Sequence, residues 1–474
     1  MVFSSLAFLL YFFPCLLICY FVVPHRFRGV RNLILFLFSL IFYLYGGAKY
    51  LPLLLGSVAV NYVGGLFVSE QWPKWLRNIA AFLTVTVNLA LLGWFKYAGF
   101  FAQTVNDFGG HLSVPDIVLP IGISFYTFQG LSYVIDVRRG HAKVQKNPLN
   151  VALYVVLFPQ LVAGPIVRYT TVEEEIIGRR ENIDDFSNGL VRFMLGLGKK
   201  MLLANTMGEV ADALFELNPG DLSTSLAWVG AVAYMLQIYF DFSAYSDMAI
   251  GLGRIFGFHF LENFNYPYIA TTITEFWRRW HISLSTWFRD YVYIPLGGNR
   301  CAKWKHLRNI AVVWLLTGLW HGAAWNFVAW GAWFGILLIG EKYIWGLFLK
   351  RLPHIVGWLY TFLAVLFSWV LFRSPTIDYA ISYIGVMLGI GSNGLWCIDT
   401  AFYLYQYGFF FLLAIIGAVP IKIFFQNILT RHSDRMICRF ILDWAPKMLA
   451  LVVLALSFIK LATGSFNPFI YFQF

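Results

Sequence analysis

The chain has 474 residues, of which 59% are hydrophobic, 19% aromatic and 12% charged, with a mean hydropathy of +0.67; soluble domains carry about 25% charged residues, so a string of water-soluble domains is excluded. The net charge of +11 sits on Lys and Arg in short loops between apolar runs, the positive-inside pattern of membrane proteins and not a nucleic-acid-binding face. The cysteines Cys15, Cys19, Cys301, Cys397 and Cys438 form no CxxC pair, so neither a disulfide framework nor a zinc site is expected.

Apolar runs of about 20 residues recur from end to end, the length at which a helix crosses a bilayer. They predict one all-α membrane domain over residues 1–464, followed by a short aromatic tail over 465–474. The first run, Val2 to Pro24, has no basic region ahead of it and no small-residue cleavage site, so it reads as a span and not as a signal peptide. Basic clusters at Arg26/Arg28/Arg31, Lys74/Arg77, Arg138/Arg139/Lys143/Lys146 and Arg300/Lys303/Lys305/Arg308 mark cytoplasmic loops, whereas Thr104 to Asp116 and Asn205 to Thr224 contain neither Lys nor Arg. Both termini are therefore expected outside, with an even number of crossings, about ten to twelve.

Two apolar segments are too broken for simple spans. Leu119 to Gly130 contains Pro120 and Gly122, and Val151 to Val167 contains Pro159 and the Gly164-Pro165 pair. Irregular backbone at membrane depth must be covered by protein or water, so the second either dips and returns beside an internal cavity or is a proline-kinked helix. The hydrophilic stretch Thr170 to Ser187 reads as a cytoplasmic loop or surface helix. Asp241 and Asp247 lie in or beside an apolar run, where carboxylates are normally paired; structural pairing is expected.

From Thr274 to Tyr293, Phe276, Trp280, Leu284, Trp287 and Tyr291 recur at helical spacing, with Glu275, Arg278, Arg279 and Arg289 on the opposite arc. This predicts one amphipathic helix at the cytoplasmic interface, with His281 at the edge of its stripe. Such a helix is either an anchor or, with Arg278, Arg279, Arg300, Lys303 and Lys305, an attractor for a phosphate-bearing donor such as coenzyme A.

Between Ile310 and Gly340 there is no Asp, Glu, Lys or Arg, and His321 stands alone as a titratable group. Eleven residues past Ile310, it falls roughly 16 Å into a core about 30 Å thick. An intramembrane histidine is expensive and points to function, although a structural histidine bonded to backbone would look the same. Burial favours the neutral ring, which can accept the proton of an attacking hydroxyl. Gly318, Gly322, Ala323, Ala324 and Gly331 read as close helix packing. No P-loop, dinucleotide fingerprint, HExxH or GxSxG motif is present.

Several blocks together resemble the membrane-bound O-acyltransferase family, in its bacterial envelope-polymer branch: MVFSSLAFL, LPIGISFYTFQGLSYVIDVRRG, FPQLVAGPIVRY, YFDFSAYSDMAIGLGRIFG, NFNYPY, EFWRRWHISLSTWFRDYVYIPLGGNR and TGLWHGAAWNFVAWG. The resemblance covers essentially the whole chain. It implies a ring of transmembrane helices, with re-entrant and interfacial helices, around a central tunnel, in a bacterial cytoplasmic membrane. It implies that His321 is the family's catalytic histidine and His281 its second histidine. A thioester donor, acetyl-CoA, would enter from the cytoplasm as a substrate and not as a tightly bound cofactor. The tail SFNPFIYFQF is too apolar for open solvent; an interfacial aromatic belt is one reading. The resemblance implies another, in which Tyr471 is an acyl relay that passes the group to a secreted partner with a serine nucleophile. D-alanyl transfer to teichoic acid is the related alternative, and a polytopic transporter, for which a buried histidine and broken helices would also be natural, is the rival from another class.

Overall fold

The computed structural model describes residues 1–431 and 436–464. Helix dominates, and no strand occurs among the described residues, as expected where every backbone polar group must be satisfied without water. Six helical stretches among them are long and apolar enough to cross a membrane: Arg28–Phe67, Lys74–Asp107, Thr224–Ile255, His354–Arg373, Ile398–Ala418 and Ile437–Ala462. The chain divides into two compact units. One comprises Met1–Phe193 with Tyr245–Leu261; the other comprises Met194–Ala244 and the described residues from Glu262 onward.

In the first unit the segment expected to be irregular is irregular. Asn147 caps the helix Pro148–Val156 by accepting from the Leu149 N–H at 3.0 Å, and Pro148 occupies a position where a missing N–H costs nothing. The helix cannot run on through Pro159, whose ring would clash with a carbonyl one turn back. The chain breaks at Leu157 and restarts as the short helix Phe158–Leu161. Every residue from 151 to 167 is buried, so protein covers the broken backbone. The helix Ile123–Arg139 starts against this break at Gly122, where φ is +76° and an added Cβ would lie 2.6 Å from the Leu161 carbonyl oxygen. Glycine alone tolerates both.

Several charges in this unit are paired internally. Asp247 meets Arg192 at 2.7 Å, which is the structural pairing expected of it. Glu181 lies between the helices Tyr169–Gly178 and Ile183–Gly198 and receives Arg28, the Tyr20 hydroxyl and Arg31 Nη1, the last at 2.8 Å. Arg179 directs its Nε to the Phe256 carbonyl at 2.9 Å and Nη1 to the Ile176 carbonyl at 3.2 Å. Burial pushes the Glu181 carboxyl up, but hydrogen bonds from Arg28 and Tyr20 outweigh it and hold the group at about 2.

The second unit is built on aromatic packing. Trp280 stands 4.8 Å from Trp369, Trp277 4.6 Å from Trp314, and Trp330 stacks on Trp369 at 6.1 Å. Each such pair contributes about 0.5–1.5 kcal/mol beyond area burial, and close packing is what holds helices together where lipid removes the hydrophobic drive. Asp241 pairs with Lys200 at 2.6 Å, both nearly fully buried, again as expected.

Thr274 to Tyr293 is not a single interfacial helix; it is two short helices, Ile273–Arg279 and Ile282–Phe288, followed by a π-turn over Arg289–Tyr293. The apolar stripe is real but faces protein: Phe276, Trp280, Leu284 and Trp287 are all buried. Thr272 caps the first helix through the Glu275 N–H at 3.0 Å, and the Glu341 carboxylate accepts from Thr274 N–H at 3.0 Å. A hydroxyl and a carboxylate thus stand at a positively polarised helix start.

Candidate active site

His321 stands at a helix end. It is the last residue of the helix Lys303–His321, about 27 Å of helix from Lys303. Gly322 is extended, and the chain turns back through Ala324 into the helix Trp325–Tyr343. A side chain at Gly322 would collide with the Phe327 ring. The two helices form a hairpin whose open ends meet, since Lys303 Nζ lies 4.9 Å from the Tyr343 ring centre and the Tyr343 hydroxyl reaches His306 Nδ1. His321 is therefore at the closed end.

Three rings surround it edge-on: Trp330 at 4.9 Å, Trp320 at 5.0 Å and Phe372 at 5.3 Å. Only 3% of the residue is exposed. Beside it, Asn326 donates to the Ser374 carbonyl at 3.0 Å and so ties the second hairpin arm to the end of His354–Arg373. Arg373, next to Phe372, pairs with Asp212 at 2.7 Å.

His281 also neighbours Trp320, with ring centres 5.8 Å apart. It occupies the break between the two short helices, at φ +43°. A left-handed backbone is uncommon for a residue with a side chain and costs on the order of 1–3 kcal/mol, and such strain clusters at functional sites. The ring is wholly buried, stacked edge-on against Phe242 at 4.6 Å, and its Nδ1 is 3.2 Å from the Asn263 side-chain oxygen. Burial, and secondly the neighbouring His321, push this imidazole well below its ordinary value, so it is neutral.

The two histidines predicted from sequence are thus brought together around one indole. The predicted donor-binding arginines are not equivalent. Arg279 is neutralised by Glu275 at 2.8 Å and donates to the Asn265 carbonyl at 3.1 Å, whereas Arg278 and Arg300 are exposed. Tyr471 lies outside the described residues. Asn263 and Ser283 were not singled out from sequence. Asn263 carried only the signal of standing in NFNYPY, and Ser283 that of following His281 in WHIS.

Residues 75–386 match the membrane-bound O-acyltransferase family. Over 100% of both chains, the sequence is 40% identical to a protein named probable alginate O-acetylase from Azotobacter vinelandii. It is 32% identical to the peptidoglycan O-acetyltransferase of Helicobacter pylori, over 100% of this chain and 98% of that one. To the teichoic acid D-alanyltransferase of Bacillus subtilis it is 31% identical, over 55% of this chain and 70% of the other.

Proposed function

The chain belongs to the membrane-bound O-acyltransferase family and is a multi-pass membrane O-acyltransferase, and from that premise we propose that it passes an acetyl group from cytoplasmic acetyl-CoA to an envelope polysaccharide. The observation that carries the reading is His321, buried at the closed end of a helical hairpin, with His281 against the same tryptophan. In the step, an acceptor hydroxyl gives its proton to His321 as its oxygen attacks the thioester carbonyl carbon. The C–S bond then breaks, and the leaving thiolate takes the proton back from the imidazolium. The carbonyls ending Lys303–His321 present partial negative charge, which favours the cation formed midway.

Tyr471 is the first acceptor in this account. A phenol of pKa about 10 leaves more readily than a sugar alcohol, so an acetyl-tyrosine stays activated for a second transfer. A secreted partner with a serine nucleophile would take the group on to the polymer. Arg278 and Arg300, exposed on their segments, would attract the phosphates of the donor from the cytoplasm. A central tunnel joining the two sides, residence in the bacterial cytoplasmic membrane and both termini outside belong to the same proposal.

Acetyl is favoured over D-alanyl because the relatives named for acetylation align with this whole chain, while the D-alanyltransferase aligns with 55% of it. The transporter reading falls with the family assignment. The test is to reconstitute the protein in vesicles with acetyl-CoA labelled in the acetyl group on the cytoplasmic side. Transfer of label to protein or polymer is expected; label that stays on coenzyme A contradicts the reading.

A further inference from the structure

We infer that Asn263 is a positioning residue that fixes His281 as a hydrogen-bond acceptor toward the reacting groups; this rests on the placement of His281 in the reaction site. Asn263 is wholly buried. Its side-chain oxygen meets three groups: the Ser283 N–H at 3.1 Å, the Ser283 hydroxyl at 2.9 Å and His281 Nδ1 at 3.2 Å. A backbone N–H can only donate, so the amide atom facing Ser283 must be oxygen. That oxygen can only accept. The Ser283 hydroxyl also stands 3.4 Å from His281 Nδ1, but its single proton goes to the nearer Asn263 oxygen, so Nδ1 carries the proton, and in a neutral ring the lone pair is left on Nε2.

The Nε2 atom is buried and has no hydrogen-bond partner among the described residues. A buried acceptor left open is costly, and a site that fills with reactant hydroxyl or thiol removes that cost. The Asn263 backbone carbonyl also accepts from Ile282 N–H at 3.0 Å, so both ends of one asparagine hold residues 281–283 in their left-handed turn. The consequence for chemistry is specific. His281 receives a hydrogen bond from the acceptor hydroxyl or from the departing thiol, and it does not donate to the thioester carbonyl oxygen, so stabilising the oxyanion is not its task.

The test uses full-length protein in membranes with nitrogen-15 histidine, the His281 signals being identified by their loss in His281→Gln. Wild type is expected to show a protonated Nδ1 and a bare Nε2; a protonated Nε2 in the wild type overturns the inference. Asn263→Leu should lose that tautomer and lower the acetyl-transfer rate about 10- to 100-fold, as loss of an orienting partner typically does, with apparent donor KM little changed. Asn263→Asp, which keeps an acceptor oxygen, should retain the tautomer and remain at least about 10-fold faster than Asn263→Leu. An Asn263→Leu protein with the native tautomer, or an Asn263→Asp protein as slow as Asn263→Leu despite the native tautomer, leaves Asn263 a merely structural residue. His281→Ala separates the two levels. Wild-type rate in His281→Ala sinks the placement of His281 itself, while a dead His281→Ala beside a fully active Asn263→Leu sinks only the role of Asn263.

Discussion

Gly318 and Gly331 lie back to back across the histidine hairpin: a Cβ on Gly331 would stand 3.2 Å from the Gly318 Cα, and one on Gly318 would stand 3.3 Å from the Gly331 Cα. Each would also strike a backbone carbonyl of the opposite arm, that of Trp314 or Phe327. Backbone cannot step aside as a flexible side chain can, so the arms must separate. Gly331→Ala is predicted to destabilise the protein by about 1–3 kcal/mol and to displace His321 with it. Thermal unfolding in detergent should therefore show a lower Tm for Gly331→Ala than for the wild type.

A second prediction concerns acid. The Glu181 carboxyl is held at about 2 against an ordinary value of 4.5, so its ionised, paired form contributes stability that is fully present above about pH 4.5 and is lost as pH falls toward 2. The shift corresponds to roughly 3 kcal/mol. Glu181→Gln should be less stable than wild type at neutral pH, and the gap should narrow through that window. A constant gap from pH 6 to pH 2.5 would show that the carboxylate's charge is not what holds Arg28 and Arg31.

The two neighbouring arginines should behave differently. Arg278 is exposed, whereas Arg279 is paired with Glu275. An exposed charge contributes about 0.2–1 kcal/mol, so Arg278→Gln is predicted to raise apparent donor KM roughly 1.5- to 5-fold, more at low salt because screening is weaker there. Arg279→Gln should instead lower Tm with a smaller change in KM. Equal KM effects in the two variants would mean that pairing does not decide which charge the donor meets.

Tyr471→Phe keeps the ring and removes the hydroxyl alone. Polymer acetylation should stop almost as completely as in His321→Ala, while the protein remains able to bind donor. Normal polymer acetylation in Tyr471→Phe would eliminate the relay and leave the tail an aromatic anchor.

Much of this was legible in the sequence, for identifiable reasons. Pro159 and Gly122 announce broken backbone because their restrictions are local, and the buried carboxylates Asp241 and Asp247 announce ion pairs because lipid leaves them no alternative. The break at His281 was not legible. Phe276, Trp280, Leu284 and Trp287 keep helical spacing across it, and a period cannot register one residue turned to positive φ by an asparagine 18 positions earlier. The stripe pointed to an apolar environment without saying whether lipid or protein supplied it; the tryptophans packed around Trp369 supply it. His321 drew notice by its isolation, but the charge-free run gave no sign that a helix ends there. The absence of charge from Ile310 to Gly340 hid a turn that Gly322 makes between two arms.

His321 is proposed to move acetyl from a thioester to Tyr471. The most direct measurement is mass spectrometry of the C-terminal peptide after purified protein in vesicles has been given labelled acetyl-CoA without its secreted partner. One labelled acetyl is expected on Tyr471 in the wild type and none in His321→Ala protein that remains folded in the membrane. Label appearing on Tyr471 at the wild-type rate in His321→Ala would contradict it.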